Sequence, residues 1–332
     1  MIVSRAPVRF TLGGGGTDLP SYYQKYGGYV VSAAVDRYIY VTANRRFYDD
    51  IRLAYSETEI VPDVDSIRHR IFREALRMVQ IDKGIELTSV ADLPANSGLG
   101  SSSSFTVALL NALHTYQRDF VSSLRLAEEA CEIEMVRLGD PVGKQDQYIA
   151  AFGNITALEI DRDGNVQVEP VPVREEVLDE LQNNLVIMYS GVERPARLVL
   201  SEQGTRVRKQ DPTTVAGMHR IKEIGHEVYR LLTQADPDRY GELLHEHWTR
   251  KRQLASGMTD GVLDEHYEAA RRAGAIGGKL MGAGGGGFFM FYARPSDKRR
   301  VWETMVARGL KPLRFRFDLD GARIVANLHR TT

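Results

Sequence analysis

Apolar positions in the first 60 residues come in short runs, VRFTL, YVVSAAV, YIYVTANRRFY and IRLAYSE, each bounded by Gly or Asp. Runs so rich in Val, Ile and Tyr predict strands. A helix is expected at about 66–80 (SIRHRIFREALRMVQ) and a strand at 84–90. The block DLPANSGLGSSSSFTVALLNALHTYQ then passes from a glycine-serine loop straight into an apolar helical pattern, from about Ser102 to Tyr116. A second helix, about 122–138, carries Leu124, Ala127, Cys131, Met135 and Leu138 at three- and four-residue spacing, and GDPVG stops it. NITALEID and NVQVEPV read as a hairpin turning at Asp163-Gly164.

The second half offers a buried strand, NLVIMYSG, then helices at about 213–234, 238–256 and 260–273. A glycine-dense strand and turn, KLMGAGGGGFFMFYA, a helix at 296–308 and two strands close the chain. Strands and helices mix in both halves without a regular βαβ rhythm, which predicts an α+β fold. The 332 residues suit two domains, placed at 1–175 and 176–332.

Charge narrows the function. With 43 Lys+Arg against 44 Asp+Glu, no global field draws in nucleic acid or an anionic membrane, so an anion must be bound locally. The single cysteine, Cys131, forms no internal disulfide and no metal cluster, and reads as a packed helix-face residue. The N-terminus MIVSRAPVRF has no charged-then-apolar leader, and the uncharged stretch Leu93–Gln117 is broken by Pro94, Asn96, Gly98 and Gly100. A cytoplasmic protein with no membrane span is the expectation. His245 and His247, two apart on a helix, point to different sides and do not make a zinc motif. The basic runs Arg45-Arg46, Arg271-Arg272 and Lys298-Arg299-Arg300 read as solvated faces.

Three glycine-rich segments carry the chemistry. In Pro94-Ala95-Asn96-Ser97-Gly98-Leu99-Gly100-Ser101-Ser102-Ser103-Ser104, glycines let backbone N–H groups turn inward and the following helix adds its positive end, which together make a phosphate cradle. An ordinary serine-capped helix is the alternative. In Arg9-Phe10-Thr11-Leu12-Gly13-Gly14-Gly15-Gly16-Thr17-Asp18, the four glycines imply close approach to the main chain, and Asp18 could accept bonds from sugar hydroxyls or simply cap the helix LPSYYQKY. The third segment, Lys279–Phe288, is either a tight turn before a strand or part of the same cleft.

In order and spacing these segments resemble the three motifs of the GHMP kinase superfamily, the middle one, P-x-x-x-G-L-G-S-S, being the specific one. GGGTDLPSYYQKYGGYVVSAAVDRYIYV and DPVGKQDQY are most similar to the bacterial D-glycero-D-manno-heptose 7-phosphate kinases, and unlike the G-E-H-T-D-Y type first motif of galactokinases. The resemblance implies an N-terminal domain of the ribosomal-protein-S5 type, a ferredoxin-like C-terminal domain, and ATP and Mg²⁺ between them. It places Arg9 near the transferred phosphate, and Gly15, Gly16, Thr17 and Asp18 on the sugar. Pro94, Asn96, Ser97, Gly98, Leu99, Gly100, Ser101, Ser102 and Ser103 fall on the nucleotide, and Gly284 and Gly285 on the substrate side. Glu134 matches the magnesium-ligand glutamate beside Ser102, and Asp146, twelve positions later, the catalytic aspartate. On residue chemistry alone, both carboxylates also read as ordinary helix charges.

The activity implied is phosphorylation of the anomeric hydroxyl of a heptose 7-phosphate to the 1,7-bisphosphate. The alternatives are a kinase for a free sugar of the fucose, arabinose or galactose type, or a sugar and nucleotide sensor. A phosphorylated acceptor needs further cations, for which Lys144, Arg194 and Arg197 are candidates, set against surface pairing with carboxylates such as Glu193. The partner is then a small molecule, with no nucleic acid and no membrane, and the oligomeric state, a homodimer included, stays open.

Overall fold

The computed structural model describes residues 1–94, 97–192, 196–234 and 237–328. Its strands form two sheets. The first runs β12-β1-β2-β5-β3-β4, with β6 added beside β2 and β7 beside β6. Its members are β1 (Ile2–Gly13), β2 (Gly28–Arg45), β3 (Ile51–Ala54), β4 (Thr58–Val61), β5 (Ile85–Ala91), β6 (Ile155–Ile160), β7 (Val166–Pro170) and β12 (Arg323–Asn327). All pairings are antiparallel except β3 with β5. The second sheet, β11-β8-β10-β9, is antiparallel and consists of β8 (Leu185–Tyr189), β9 (Gly277–Leu280), β10 (Phe288–Tyr292) and β11 (Lys311–Leu313).

Two expected strands, YVVSAAV and YIYVTANRRFY, are one continuous strand, β2. The register slips between Pro7 and Val8 where they pair with it, which gives Pro7 the bulge position that a residue without an N–H tolerates. The hairpin at Asp163-Gly164 forms as expected, with Ile160 opposite Val166. The helices are α1 (Pro20–Tyr26), α2 (Arg70–Met78), α3 (Ser101–Tyr116), α4 (Ser123–Cys131), α5 (Gln145–Phe152), α6 (Glu175–Asn184), α7 (Ala196–Arg208), α8 (Pro212–Gln234), α9 (Pro237–Lys251), α10 (Gly261–Arg272) and α11 (Pro295–Ala307). The helix expected over 122–138 is α4 followed by a π-type turn, Glu132–Arg137. Helices α6 and α7 are additional to the expected elements; both are polar over most of their surfaces, and α7 carries little apolar period to announce it.

Alternation along single strands explains how the layers stack. In β10, Phe288, Met290 and Tyr292 face the core shared with the first sheet, whereas Phe289 and Phe291 face a separate cluster with Trp248, Tyr267 and Met305. Strand β8 divides likewise, Leu185 and Ile187 to one side, Val186 and Met188 to the other. Both strands are buried on two faces, which is why they read as unbroken apolar runs. Helices α2 to α5 cover the outer face of the first sheet, and α8 and α9 lie between the sheets, α8 on β1 and β2, α9 on β9 and β10. The change of sheet falls between Pro170 and Leu185, but the chain does not simply divide there, because β12 crosses back to pair with β1. Among the described residues no helix is long and apolar enough to cross a membrane.

Candidate active site

Strand β1 delivers Arg9, and α5 delivers Asp146 in its first turn. Arg9 donates from Nε to Asp146 Oδ1 at 2.7 Å and from Nη2 to Oδ2 at 3.0 Å, a two-pronged fork that fixes the carboxylate plane. Its remaining nitrogen, Nη1, donates to the Gly98 carbonyl at 2.7 Å, and its backbone N–H to the Leu99 carbonyl at 3.0 Å. One arginine therefore ties the strand, the glycine-serine loop and the carboxylate together. Gly100 makes this possible sterically. It lies at φ +80°, and a Cβ there would come within 3.0 Å of the Asp146 carboxylate.

Gly100 also resolves how α3 begins. The capping residue is glycine, left-handed, and no side chain caps the helix. The ordinary serine-cap alternative is thereby excluded. Ser101, Ser102 and Ser103 instead form the first turn of α3 and line a cavity that also includes Arg9, Asp18 and Asp146. An uncapped helix start facing a cavity is suited to an anion.

Behind that turn lies Glu134, placed by the π-type turn and only 2% exposed. Its carboxylate accepts from Ser103 Oγ at 2.7 Å, Thr106 Oγ1 at 2.7 Å and Gln147 Nε2, with Ser102 Oγ at 3.4 Å. Burial pushes its pKa up and these donors pull it back, leaving it raised. A buried carboxylate beside a cavity-lining hydroxyl is the oxygen donor set of a hard divalent cation, so Ser102 and Glu134 fit Mg²⁺. Among the described residues no three His, Cys, Asp or Glu side chains cluster to hold a metal unaided. A cation here would draw its other ligands from nucleotide and water.

Asp18, on the turn after β1, is buried, and its carboxylate accepts from the backbone N–H of Gly16 and of Gln145, each at 3.1 Å. Burial raises its pKa, and the nearby Asp146 adds to the rise. The partner surface is Gly143, where a Cβ would sit 1.9 Å from Asp18 Oδ2. Gln145 extends the network by accepting from Thr11 Oγ1 at 2.8 Å.

Several expected contacts are placed elsewhere. Thr17 is fully buried and builds the turn, its hydroxyl oxygen 2.8 Å from the Gly14 carbonyl and accepting the Tyr29 N–H at 3.0 Å. Leu99 is core, Pro94 is exposed, and Ser97 is buried outside the cavity lining. Gly284 and Gly285 pack on Met258, while their neighbours Gly282 and Ala283 line the cavity with Gly15, Gly16 and Gly98. Lys144 turns away from the cavity to donate to the Gly164 carbonyl beside the Tyr23 ring. Arg197 is exposed on α7, and Asn96 and Arg194 lie outside the described residues. Cys131 is buried, its thiol pushed up by burial.

The sequence reading missed the wall opposite α3. There Lys251 and His247 of α9 and Lys279 of β9 line the cavity together with Gln203. His245, as expected, points elsewhere and bonds Tyr267. Lys279 stood at the head of the third glycine segment and could have been flagged. Lys251 sat in LLHEHWTRKRQL, which looks like a solvated charge run, and carried no signal.

All three glycine-rich segments thus reach one cavity between the sheets, and the third touches the second directly, a Cβ on Gly282 falling 2.5 Å from the Gly98 carbonyl. Residues 67–154 match the GHMP kinases N terminal domain and residues 228–310 match GHMP kinases C terminal, together just over half of the chain. The chain belongs to the GHMP kinase family. GHMP kinases are phosphotransferases that act on hydroxyl groups with ATP as donor, and this chain has their two-domain fold. It is 29% identical over 316 residues to a D-glycero-alpha-D-manno-heptose 7-phosphate kinase of Campylobacter jejuni, covering 92% of this chain and 93% of that protein. A Pyrococcus furiosus galactokinase is 27% identical, with 86% of this chain and 87% of that protein covered. Among solved structures, a D-glycero-D-manno-heptose 1-phosphate kinase from Bacteroides thetaiotaomicron superposes with a TM-score of 0.83 at 26% identity, over 99% of this chain and 100% of that one.

Proposed function

We propose that this GHMP kinase is a sugar kinase whose acceptor is D-glycero-D-manno-heptose 7-phosphate, phosphorylated at the anomeric hydroxyl to give the 1,7-bisphosphate. The observation that carries the reading is the Arg9–Asp146 fork, standing where the glycine-serine loop and the Asp18 turn meet. In this reading Asp146 accepts the proton of the attacking hydroxyl, and Arg9 fixes its carboxylate and lends positive charge to the phosphoryl group in flight. The start of α3 holds the nucleotide phosphates, and Asp18 orients the sugar through its hydroxyls. Ser102 and Glu134 would hold Mg²⁺, whose charge offsets that of the phosphates. The reading is supported by the two relatives named for heptose phosphates, one aligned and one superposed over nearly the whole chain.

The experiment is ADP release with ATP, Mg²⁺ and a panel of acceptors: heptose 7-phosphate, free heptose, fucose, arabinose and galactose. The expected result is highest kcat/KM on heptose 7-phosphate. Equal efficiency on free and phosphorylated heptose, or a free hexose or pentose as best acceptor, overturns it.

A further inference from the structure

Lys279 is 1% exposed and Lys251 9% exposed, yet among the described residues neither has a carboxylate partner. Lys251 Nζ donates to two backbone carbonyls, Leu280 at 3.0 Å and Gly282. Lys279 Nζ lies 3.1 Å from His247 Nδ1. When Lys279 is protonated, as it would be beside an anion, its ammonium has only hydrogens to give, so Nδ1 then accepts and the ring proton sits on Nε2. That Nε2 is buried and has no partner among the described residues, although His247 lines the cavity. Two buried amines and an unpartnered ring nitrogen on one wall are costly unless something anionic completes them.

Among the described residues, the carboxylates lining the cavity are otherwise engaged: Asp146 is held by Arg9, and Asp18 accepts from the Gly16 and Gln145 backbone. Burial drives both amines toward the neutral form, helped at Lys251 by Arg9, which takes it to about 7, and at Lys279 by Lys251 and Arg9. An arriving anion would reverse that, since an opposite charge within a few ångströms favours the ammonium. The nucleotide's phosphates already have a cradle at the start of α3, in the other domain. These cations come from α9 and β9 and serve a second anion.

We propose that Lys251, Lys279 and His247 Nε2 form a phosphate monoester subsite that receives the phosphate carried by the acceptor. This rests on the sugar kinase reading and replaces Lys144, which faces away, as the source of cations for that phosphate.

Binding, without turnover, tests it. The protein is saturated with a non-hydrolysable ATP analogue and Mg²⁺, and inorganic phosphate is titrated in by calorimetry. Phosphate should bind alongside the analogue, and Lys251→Met and Lys279→Met should each weaken it tenfold or more while leaving the analogue's affinity within about threefold. His247→Phe, which keeps a ring but removes the donor, provides a third variant should either lysine change impair folding. Phosphate displaced by the analogue means these cations serve the nucleotide, and phosphate binding that is absent or untouched by all three variants means they hold no phosphate; either result overturns the proposal. Because no acceptor is turned over, failure here leaves the kinase reading standing. Failure of the acceptor panel with phosphate still bound through these residues removes heptose but keeps the subsite.

Discussion

Replacing Lys251 with Met should stabilise the unliganded protein in neutral and acidic solution and lose that advantage as the pH rises. The wild-type amine has a pKa near 7 in the folded chain against 10.5 unfolded. A depressed folded pKa means that between those values the unfolded chain holds a proton that the folded chain has shed, so wild-type stability climbs with pH across about 7 to 10.5. Each pKa unit is about 1.4 kcal/mol, so the shift costs on the order of 4–5 kcal/mol below pH 7 and nothing above pH 10.5. Against this, Met abandons the carbonyls of Leu280 and Gly282, a loss of about 1–3 kcal/mol that does not depend on pH. Facing Lys251 are Arg9 and Lys279, and the variant relieves Lys279 too, so the change belongs to the pair.

The assay is urea unfolding of wild type and variant at intervals from pH 6 to 10, without phosphate in the buffer. The difference in unfolding free energy should favour the variant near pH 6 and swing toward wild type by up to about 1.4 kcal/mol per pH unit between 7 and 10. A difference that stays flat across that range would show that Lys251 keeps its proton when buried, and the cost assigned to it would be wrong.

Other outcomes follow from the same geometry. Asp146→Asn should leave ATP affinity within a few-fold and lower turnover by ~10²-fold or more, measured at saturating substrate, as expected when a positioned base is removed. Glu134→Gln and Ser102→Ala should each raise the Mg²⁺ concentration for half-maximal rate, and magnesium titrations that superimpose on wild type for both would remove these residues from the metal site. Gly143→Ala should raise KM for the sugar at least tenfold with little change for ATP, because its methyl occupies the Asp18 carboxylate position, and KM values equal to wild type would take Asp18 out of acceptor binding.

Much of this was legible in the chain before folding. Amphipathic periodicity announced α2, α8 and α10, and apolar runs announced the buried α3, β8 and β10, because burial dictates those patterns directly. The glycine segments announced the cavity, since backbones that must touch, as at Gly98 and Gly282, leave only one residue type able to stand there. What stayed hidden depends on tertiary placement. Lys251 looks like any surface lysine until α9 folds it into the cavity wall, and Thr17 looks like a ligand contact until the Tyr29 backbone closes on it. Glu134 and Asp146 could be paired only through a resemblance, as nothing in their spacing says that a π-type turn brings one of them behind Ser102 and Ser103.

The return of β12 to the edge of β1 has a temporal consequence. Ile2 pairs with Asn327 and Arg5 with Arg323, and the segment before β12 is stitched to the same sheet where Asn154 N–H donates to the Asp318 carbonyl at 2.8 Å and Tyr38 OH to the Asp318 carboxylate at 2.6 Å. As the polypeptide emerges from a ribosome, β1 comes out before every other strand of these two sheets, and its outer neighbour, β12, comes out after all of them. Throughout synthesis of the second domain it presents a bare hydrogen-bonding edge that any other extended chain could occupy. Nascent chains halted short of residue 323 should therefore be prone to self-association and chaperone capture even with most of both cores already made.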